Sequence, residues 1–197
     1  MPTKFKAYHA LIAVCLALAG SCAHGANAPQ EIEVPAWFKV SFLDVRDDLK
    51  EAAAARKRVM LYFGQNGCPY CRQLMEVNFK NAEIVQKTRR NFDVIEINIV
   101  GSRDVTWTDG SVHTEKAFAR HLKIGYTPTL LVLDERGNTV VRISGYLPPA
   151  AMSAALDYVI DGAFRREPDL RRYLKSRAVL PPERGSRIDS GEPAAAP

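Results

Sequence analysis

Two cysteines separated by two residues, in the sequence Cys68-Pro69-Tyr70-Cys71, follow closely on an apolar run at residues 59–63. A short apolar run bounded by glycine is typical of a buried strand, and the residues from Cys68 onwards favour a helix. Cys68 is then expected at the helix N-terminus, where unpaired backbone N–H groups and the helix dipole stabilise a thiolate. Pro69 suits the first helical turn because its missing N–H is not needed there. Cys71 is expected on the same side of the helix, within disulfide distance of Cys68 and more buried.

This pattern predicts a redox-active pair in which Cys68 is the nucleophile and Cys71 is the resolving thiol. A permanent structural disulfide is one alternative, although so small a ring removes little entropy from the unfolded chain. Half of a zinc site is another, but structural zinc takes four ligands and the sequence has no second cysteine pair of this kind. We therefore predict no metal, and we expect His113 and His121 to be ordinary surface residues.

The rest of the chain alternates between strand and helix patterns. Asp44 and Thr114 are candidate helix caps, and Gly137 and Asn138 are expected to give a hairpin its turn with positive φ. We predict strands at residues 37–42, 59–63, 92–100, 129–133 and 139–144, and helices at 44–58, 68–90 with a bend near 78–81, 114–123, 152–160 and 164–177. A helix between parallel strands is the usual crossover unit, so we predict an α/β fold: a mixed central sheet with helices on both faces.

Residues 1–23 have the pattern of a secretory signal peptide. A basic start precedes an apolar run at residues 10–19, which is too short for a membrane span, and small residues follow, with cleavage expected after Ala23. Cys22 also stands in a sequence distantly similar to a lipoprotein box, so a lipid anchor on Cys22 is the alternative. The sequence therefore predicts an exported protein.

The basic charge is concentrated at the two ends of the chain. The net charge is +5, with 27 Lys and Arg against 22 Asp and Glu, yet residues 24–162 hold equal numbers of both and are neutral. We expect no nucleic-acid partner, because that region has no basic stripe with interleaved aromatic residues. We divide the rest of the chain into a linker at 24–35, a central domain at 36–162, and a basic C-terminal extension at 163–197 that is largely disordered after 178.

The strand followed by the two cysteines, together with Tyr126-Thr127-Pro128-Thr129 at the start of a later strand, resembles the thioredoxin superfamily. The resemblance spans residues 40–160 and implies that the central domain has a thioredoxin fold. It also implies that the Thr127–Pro128 bond is cis and faces the cysteine pair, so that the Thr127 backbone is free to pair with an extended substrate. Gly145 matches the glycine that lets backbone approach the active site. Thr127, Pro128 and Gly145 are accordingly expected to bind substrate.

The sequences around the cysteines and at residues 145–148 are similar to periplasmic SoxW-type thioredoxin-like proteins. This similarity implies a periplasmic protein that reduces protein disulfides and receives electrons from a membrane thiol-transfer protein. We expect a monomer with no cofactor beyond the redox-active Cys68–Cys71 disulfide. Glutaredoxin-like, oxidant or isomerase activity is one alternative, and a non-catalytic peptide-binding chaperone with a thioredoxin fold is another.

Three further positions bear on the site. Tyr62 stands six residues before Cys68, where thioredoxins carry a buried aspartate thought to help move protons, so their pH behaviour is not expected here. Arg72 follows the second cysteine, and it either lowers the pKa of Cys68 or faces solvent. Trp107 is expected to cover part of the hydrophobic core, as a single tryptophan in a loop commonly does.

Overall fold

The computed structural model of the protein describes residues 31–180, which belong to one compact unit. In chain order the elements are α1 (Val45–Ala54), β1 (Arg58–Gly64), α2 (Pro69–Gln73), a π-helix (Leu74–Asn78), α3 (Ala82–Asn91), β2 (Phe92–Asn98), β3 (Asp104–Thr106), β4 (Val112–Thr114), α4 (Glu115–His121), β5 (Thr129–Leu133), β6 (Thr139–Ser144), α5 (Pro149–Ile160), a 3-10 helix (Ala163–Arg165) and α6 (Leu170–Ser176).

The main sheet has four strands in the order β2-β1-β5-β6. β1 and β2 run parallel, whereas β5 is antiparallel to both β1 and β6. Six of the seven residues of β1 are buried, because this strand has a neighbour on each side and helices on both faces. The predicted α/β fold, with a mixed central sheet between layers of helices, is confirmed.

Side chains of β1 alternate between two hydrophobic clusters, as the pleat of a strand requires. Met60 and Tyr62 point to one face of the sheet, where they pack with residues of the π-helix, α3, α5 and α6. Leu61 and Phe63 point to the other face and pack with residues of α1 and α4. The cysteine-bearing helix continues into the π-helix and therefore belongs to the Tyr62 face.

Asp, Asn and Thr side chains cap four of the described helices, α1, α3, α4 and α6. Asp44 accepts a hydrogen bond from the N–H of Arg46 at 3.0 Å at the start of α1, and Thr114 accepts one from Ala117 at 3.3 Å at the start of α4. Both were expected as caps, and each satisfies a backbone N–H that has no partner inside its helix. The bend expected near residues 78–81 is present, because the π-helix ends at Asn78 and Asn81 caps α3.

Several local expectations are wrong. The segment 37–42 forms no strand: Lys39 donates one backbone hydrogen bond to Val94, and the Val40 and Phe42 side chains are almost completely exposed. The strand was predicted only from the alternation of apolar and polar residues, but two of the apolar side chains in this segment are exposed rather than buried. In the β5–β6 turn, Gly137 has a positive φ of 86° but Asn138 does not.

The polar stretch after β2 contains structure that was not predicted. β3 and β4 form a separate antiparallel hairpin between residues 104 and 114. Trp107 lies in its turn and packs against Phe118, with ring centroids 5.1 Å apart. The expectation that Trp107 covers part of the core is therefore confirmed.

The hydrophobic core continues past residue 162. Leu170, Tyr173 and Leu174 of α6 are buried in the same cluster as Tyr62, and Ile32 packs against that cluster from the N-terminal side. The single helix expected at 164–177 is instead divided into the 3-10 helix and α6, with residues 166–169 between them not helical. The predicted signal peptide, Cys22 and the tail after residue 180 lie outside the described residues. Within residues 31–180, no helix is long and apolar enough to cross a membrane.

Candidate active site

The turn between β1 and α2 brings Cys68 to the carboxyl end of β1. The chain turns at Asn66 and Gly67, and the φ of 74° at Gly67 lies in the left-handed region that glycine adopts without strain. The Asn66 side chain accepts a hydrogen bond from the N–H of Ile32 at 3.2 Å, which ties the turn to the N-terminal segment. Cys68 thus becomes the N-cap of α2, with Pro69 as the first helical residue.

Cys68 and Cys71 form a disulfide, and their Cα atoms are 5.2 Å apart. The Cys68 sulfur accepts a hydrogen bond from the backbone N–H of Cys71 at 3.1 Å, so it lies where an N-cap oxygen would lie in other helices. Cys68 is 7% exposed and Cys71 is completely buried. The expected difference in burial is therefore present, and Cys68 is the sulfur that another molecule can reach.

The loop before β5 packs directly on Cys68. The Thr127–Pro128 peptide bond is cis. The Thr127 hydroxyl donates to the Cys68 sulfur at 3.3 Å, and the Thr127 carbonyl oxygen lies 3.4 Å from the same sulfur. Gly145 donates its N–H to the Pro128 carbonyl at 2.7 Å. The five predicted site residues therefore lie together, with Gly145 joined to the cysteines through Pro128 and Thr127.

Gly145 has a φ of 92°, which explains why glycine is suited to this position. A Cβ added at Gly145 would meet no atom of the other described residues, its chain neighbours aside, within 4 Å. Crowding by the protein itself therefore does not exclude a side chain, and the backbone conformation is the reason for glycine.

Tyr62 is buried beneath the site, and its strand register places it beside Glu96 of β2. Burial raises the pKa of the Tyr62 hydroxyl, and the nearby Glu96 charge raises it further. Burial also raises the pKa of Glu96; Arg103 lowers it and Glu115 raises it. Glu96 borders a cavity of about 470 Å³ that is also lined by Asn66 of the cysteine turn. The position at which thioredoxins carry an aspartate is thus occupied by Tyr62, and an acid, Glu96, lies beside it on the neighbouring strand β2.

Arg72, His113 and His121 make no hydrogen bond to either sulfur among the described residues. Arg72 is half-buried and forms no ion pair with any residue between 31 and 180. His113 stacks on His121 with ring centroids 4.9 Å apart, and Ser111 contacts the His113 ring at 3.0 Å. Among the described residues, no three His, Cys, Asp or Glu side chains are grouped in a way that suits a metal ion.

Asn78 is a buried polar residue of this region that the sequence analysis did not identify. Its side-chain N–H donates to the carbonyl of Leu147 at 2.9 Å, and the residue is completely buried. One signal was available in the sequence, since Asn78 follows the apolar residues Leu74 and Met75 at helical spacing. Its partner at residue 147 could not be found from local sequence.

Comparison with known proteins agrees with this geometry. The family model described as a thioredoxin-like domain matches residues 45–160, which is more than half of the chain. The chain belongs to the thioredoxin-like domain family. The matched region of this thioredoxin-like protein includes both cysteines, the cis-proline loop and Gly145, and it ends before α6. No curated protein gave a significant match.

Solved structures are similar to this chain at low sequence identity, and one of them shows the same fold. A thioredoxin-fold protein from Helicobacter pylori is 24% identical, with a TM-score of 0.55, over 62% of this chain and 85% of the other. A thioredoxin from Thermus thermophilus is 23% identical, with a TM-score of 0.49, over 63% and 90% of the two chains. The oxidised C-terminal domain of DsbD from Neisseria meningitidis is 18% identical, with a TM-score of 0.39, over 61% and 87%.

Proposed function

We propose that this thioredoxin-like protein is an exported thiol–disulfide oxidoreductase that reduces disulfides in other proteins. The observation that carries the proposal is the asymmetry of the cysteine pair. The Cys68 sulfur sits at a helix N-terminus and receives hydrogen bonds from the Cys71 N–H and the Thr127 hydroxyl, whereas Cys71 is completely buried. Hydrogen bonds to a sulfur at a helix N-terminus stabilise the thiolate, which is the nucleophilic form.

The reaction begins with attack of the Cys68 thiolate on one sulfur of a substrate disulfide. The substrate S–S bond breaks, a mixed disulfide with Cys68 forms, and the other substrate sulfur leaves as a thiolate that takes a proton from water. Cys71 then loses its proton and attacks the Cys68 sulfur, which releases the second substrate sulfur. Two electrons have passed to the substrate, and the Cys68–Cys71 disulfide remains in the protein. Two electrons and two protons from a thiol reductant restore the dithiol.

The substrate, direction and location of this reaction are part of the same proposal. The loop at Thr127 and Pro128 suits an extended polypeptide lying across Cys68, because both residues contact or adjoin the reactive sulfur. The signal-like residues 1–23 favour a periplasmic protein, and the SoxW-type similarity favours the reducing direction with a membrane thiol-transfer protein as the electron donor. We propose a monomer that uses neither a metal nor nucleic acid.

Mixed-disulfide trapping tests the proposal directly. The test protein carries Cys15→Ala and Cys22→Ala, so that Cys68 and Cys71 are its only cysteines. The intact pair is expected to reduce insulin with dithiothreitol as the electron source. Cys71→Ser is expected to accumulate a mixed disulfide on Cys68, because attack proceeds but release does not. Cys68→Ser is expected to lose reduction and to form no adduct.

Two results would contradict the proposal. Unchanged insulin reduction by Cys68→Ser would remove Cys68 from the reaction, and a chain that prevents aggregation without exchanging thiols would favour the peptide-binding chaperone. The equilibrium constant of the pair with glutathione sets the direction. A reduction potential near about −270 mV supports a reductant, whereas one near about −120 mV would indicate an oxidant.

A further inference from the structure

Two separate segments meet at the Cys68 sulfur. One is the helix that carries both cysteines, and the other is the loop that carries Thr127 and Pro128. Their direct contacts are the hydroxyl and carbonyl of Thr127, at 3.3 Å and 3.4 Å from the sulfur. A hydrogen bond weakens steeply as its geometry departs from the optimum, so the separation of the two segments determines how strongly Thr127 acts on Cys68.

A second connection between the same segments lies at the far end of the cysteine helix. α2 continues without a break into the π-helix, whose last residue is Asn78. The buried Asn78 side chain donates to the Leu147 carbonyl at 2.9 Å. Leu147 lies two residues after Gly145, and Gly145 donates to the Pro128 carbonyl at 2.7 Å. The cysteine helix is therefore connected to the Thr127–Pro128 loop at two places. One connection is the contact of Thr127 with the Cys68 sulfur, and the other runs from Asn78 through the 145–147 loop to Pro128.

The Asn78 amide is costly at this position. Its Oδ1 atom is buried and has no hydrogen-bond partner among the described residues. A buried acceptor without a partner has lost its hydration without compensation, and an apolar side chain of similar size would avoid that cost. The bond that Asn78 donates to Leu147 is the one polar contact that explains an amide here. π-helical turns inside helices also occur frequently at functional sites.

We infer that Asn78 is a positioning residue that holds the cysteine helix at a fixed distance from the Thr127–Pro128 loop and thereby sets the redox equilibrium of the Cys68–Cys71 pair. The inference rests on the proposed function and adds a residue outside the motif to it. Once the pair is reduced, the Thr127 hydroxyl is placed to donate to the Cys68 thiolate. Loss of the Asn78 bond removes one of the contacts between the 145–147 loop and the helix, the hydrogen bond of Tyr146 with Gln73 being another. The loop is then held less closely, which weakens that donation and disfavours the reduced form.

The experiment compares two buried polar residues in the full chain carrying Cys15→Ala and Cys22→Ala. Asn78→Leu removes the donor and fills a similar volume. Thr88→Val is the matched control, because Thr88 is also completely buried on the same face and its hydroxyl also has no hydrogen-bond partner among the described residues, but it lies on α3. Two quantities are measured: the equilibrium constant with glutathione, and the thiol pKa of Cys68 from the pH dependence of alkylation.

Asn78→Leu is expected to raise the Cys68 pKa and to shift the glutathione equilibrium towards the disulfide by about threefold to tenfold, the value of one hydrogen bond of ordinary strength. Thr88→Val is expected to stay within about twofold of the parent in both measurements, because its orphan hydroxyl has no bond to lose. If Asn78→Leu does not fold, Asn78→Gln is measured; it keeps the donor but displaces it by one methylene, and the same direction of shift is expected.

A folded, redox-active Asn78 variant with the parent equilibrium constant and pKa would overturn the inference and leave the proposed function intact. Equal shifts in the Asn78 and Thr88 variants would also overturn it, because they would show a general response to core substitution. A parent chain whose disulfide does not exchange with glutathione would instead contradict the proposed function itself.

Discussion

Glu96 is a partly buried carboxyl group on β2, opposite Tyr62 and close to Arg103 and Glu115. Burial is the largest influence on Glu96 and raises its pKa; the guanidinium of Arg103 opposes this shift and the charge of Glu115 adds to it. An acid with a raised pKa in the folded state is harder to ionise there than in the unfolded chain. Stability is therefore lost as the pH rises from the ordinary glutamate value, about 4.3, through the raised value.

Glu96→Gln is accordingly expected to raise the free energy of unfolding at pH 7, with the gain disappearing as the pH falls below about 4, where both states are protonated. Urea unfolding at the two pH values measures this. Glu76→Gln is the control, since Glu76 is exposed on the π-helix, and a change within about 0.5 kcal/mol is expected at either pH. A Glu96→Gln protein less stable than the parent at pH 7 would show that the carboxylate stabilises the fold.

At the residue scale, the sequence was sufficient to identify functional residues whose partners lie close to them in the chain. Cys68, Pro69 and Cys71 occupy consecutive positions on one helix turn, so their spacing was enough to predict their arrangement. Asn78 and Glu96 were missed because their importance depends on partners distant in sequence. Leu147 becomes the partner of Asn78 only when β6 and the cysteine helix pack together, and Glu96 meets Tyr62 only in the register of β1 and β2.

At the scale of elements, the Tyr62 ring in β1 leaves no room for a side chain at Gly64, the last residue of the same strand. The Tyr62 ring lies over the Gly64 backbone, and a Cβ added at Gly64 would overlap the Tyr62 hydroxyl and the adjacent ring carbon. Tyr62 is buried and cannot move aside into solvent. Close packing against Tyr62 therefore explains why a glycine stands at the end of β1.

Gly64→Ala is expected to reduce the free energy of unfolding by about 1–3 kcal/mol, the usual cost of overpacking a core. Gly125→Ala is the control, because a Cβ at Gly125 would meet no atom of the described residues beyond its chain neighbours within 4 Å, and its φ is not in the left-handed region. Chemical denaturation of both variants gives the comparison. Equal stabilities would mean that the Tyr62 ring moves at little cost.

Element prediction succeeded where pattern and burial agree. β1, β5 and β6 are short apolar runs next to glycine or turn residues, and they are present close to the expected bounds. Prediction failed at residues 37–42, where the exposed Val40 and Phe42 imitate the alternation of a strand. The β3–β4 hairpin was missed because its strands are only three residues long and mostly exposed, which leaves no periodic pattern to detect.

At the scale of the whole molecule, the first part of the basic C-terminal extension, residues 163–180, has a clear structural role. α6 is capped by Asp169, which accepts a hydrogen bond from the backbone N–H of Arg172 at 3.0 Å. Arg172 and Lys175 are exposed and Arg171 is half-buried. Its apolar side chains join the main cluster, and the Tyr158 hydroxyl of α5 donates to the Glu167 carbonyl at 2.5 Å. α6 is thus a helix with basic residues whose apolar side chains belong to the core.

Leu174→Ala tests whether α6 is an integral part of the domain. Leu174 is completely buried in the cluster that contains Tyr62, so its truncation is expected to cost about 2–5 kcal/mol in the free energy of unfolding, as at other buried leucines. Arg166→Ala is the control, because Arg166 is exposed in the same extension, and a change within about 0.5 kcal/mol is expected. Urea unfolding measures both variants, and insulin reduction below the transition shows whether the cysteine site persists. A loss of unfolding free energy below about 1 kcal/mol in Leu174→Ala would mean that α6 is dispensable for the core and that the domain ends at α5. The expected loss would instead show that the folding unit extends beyond residues 45–160, the region matched by the family model.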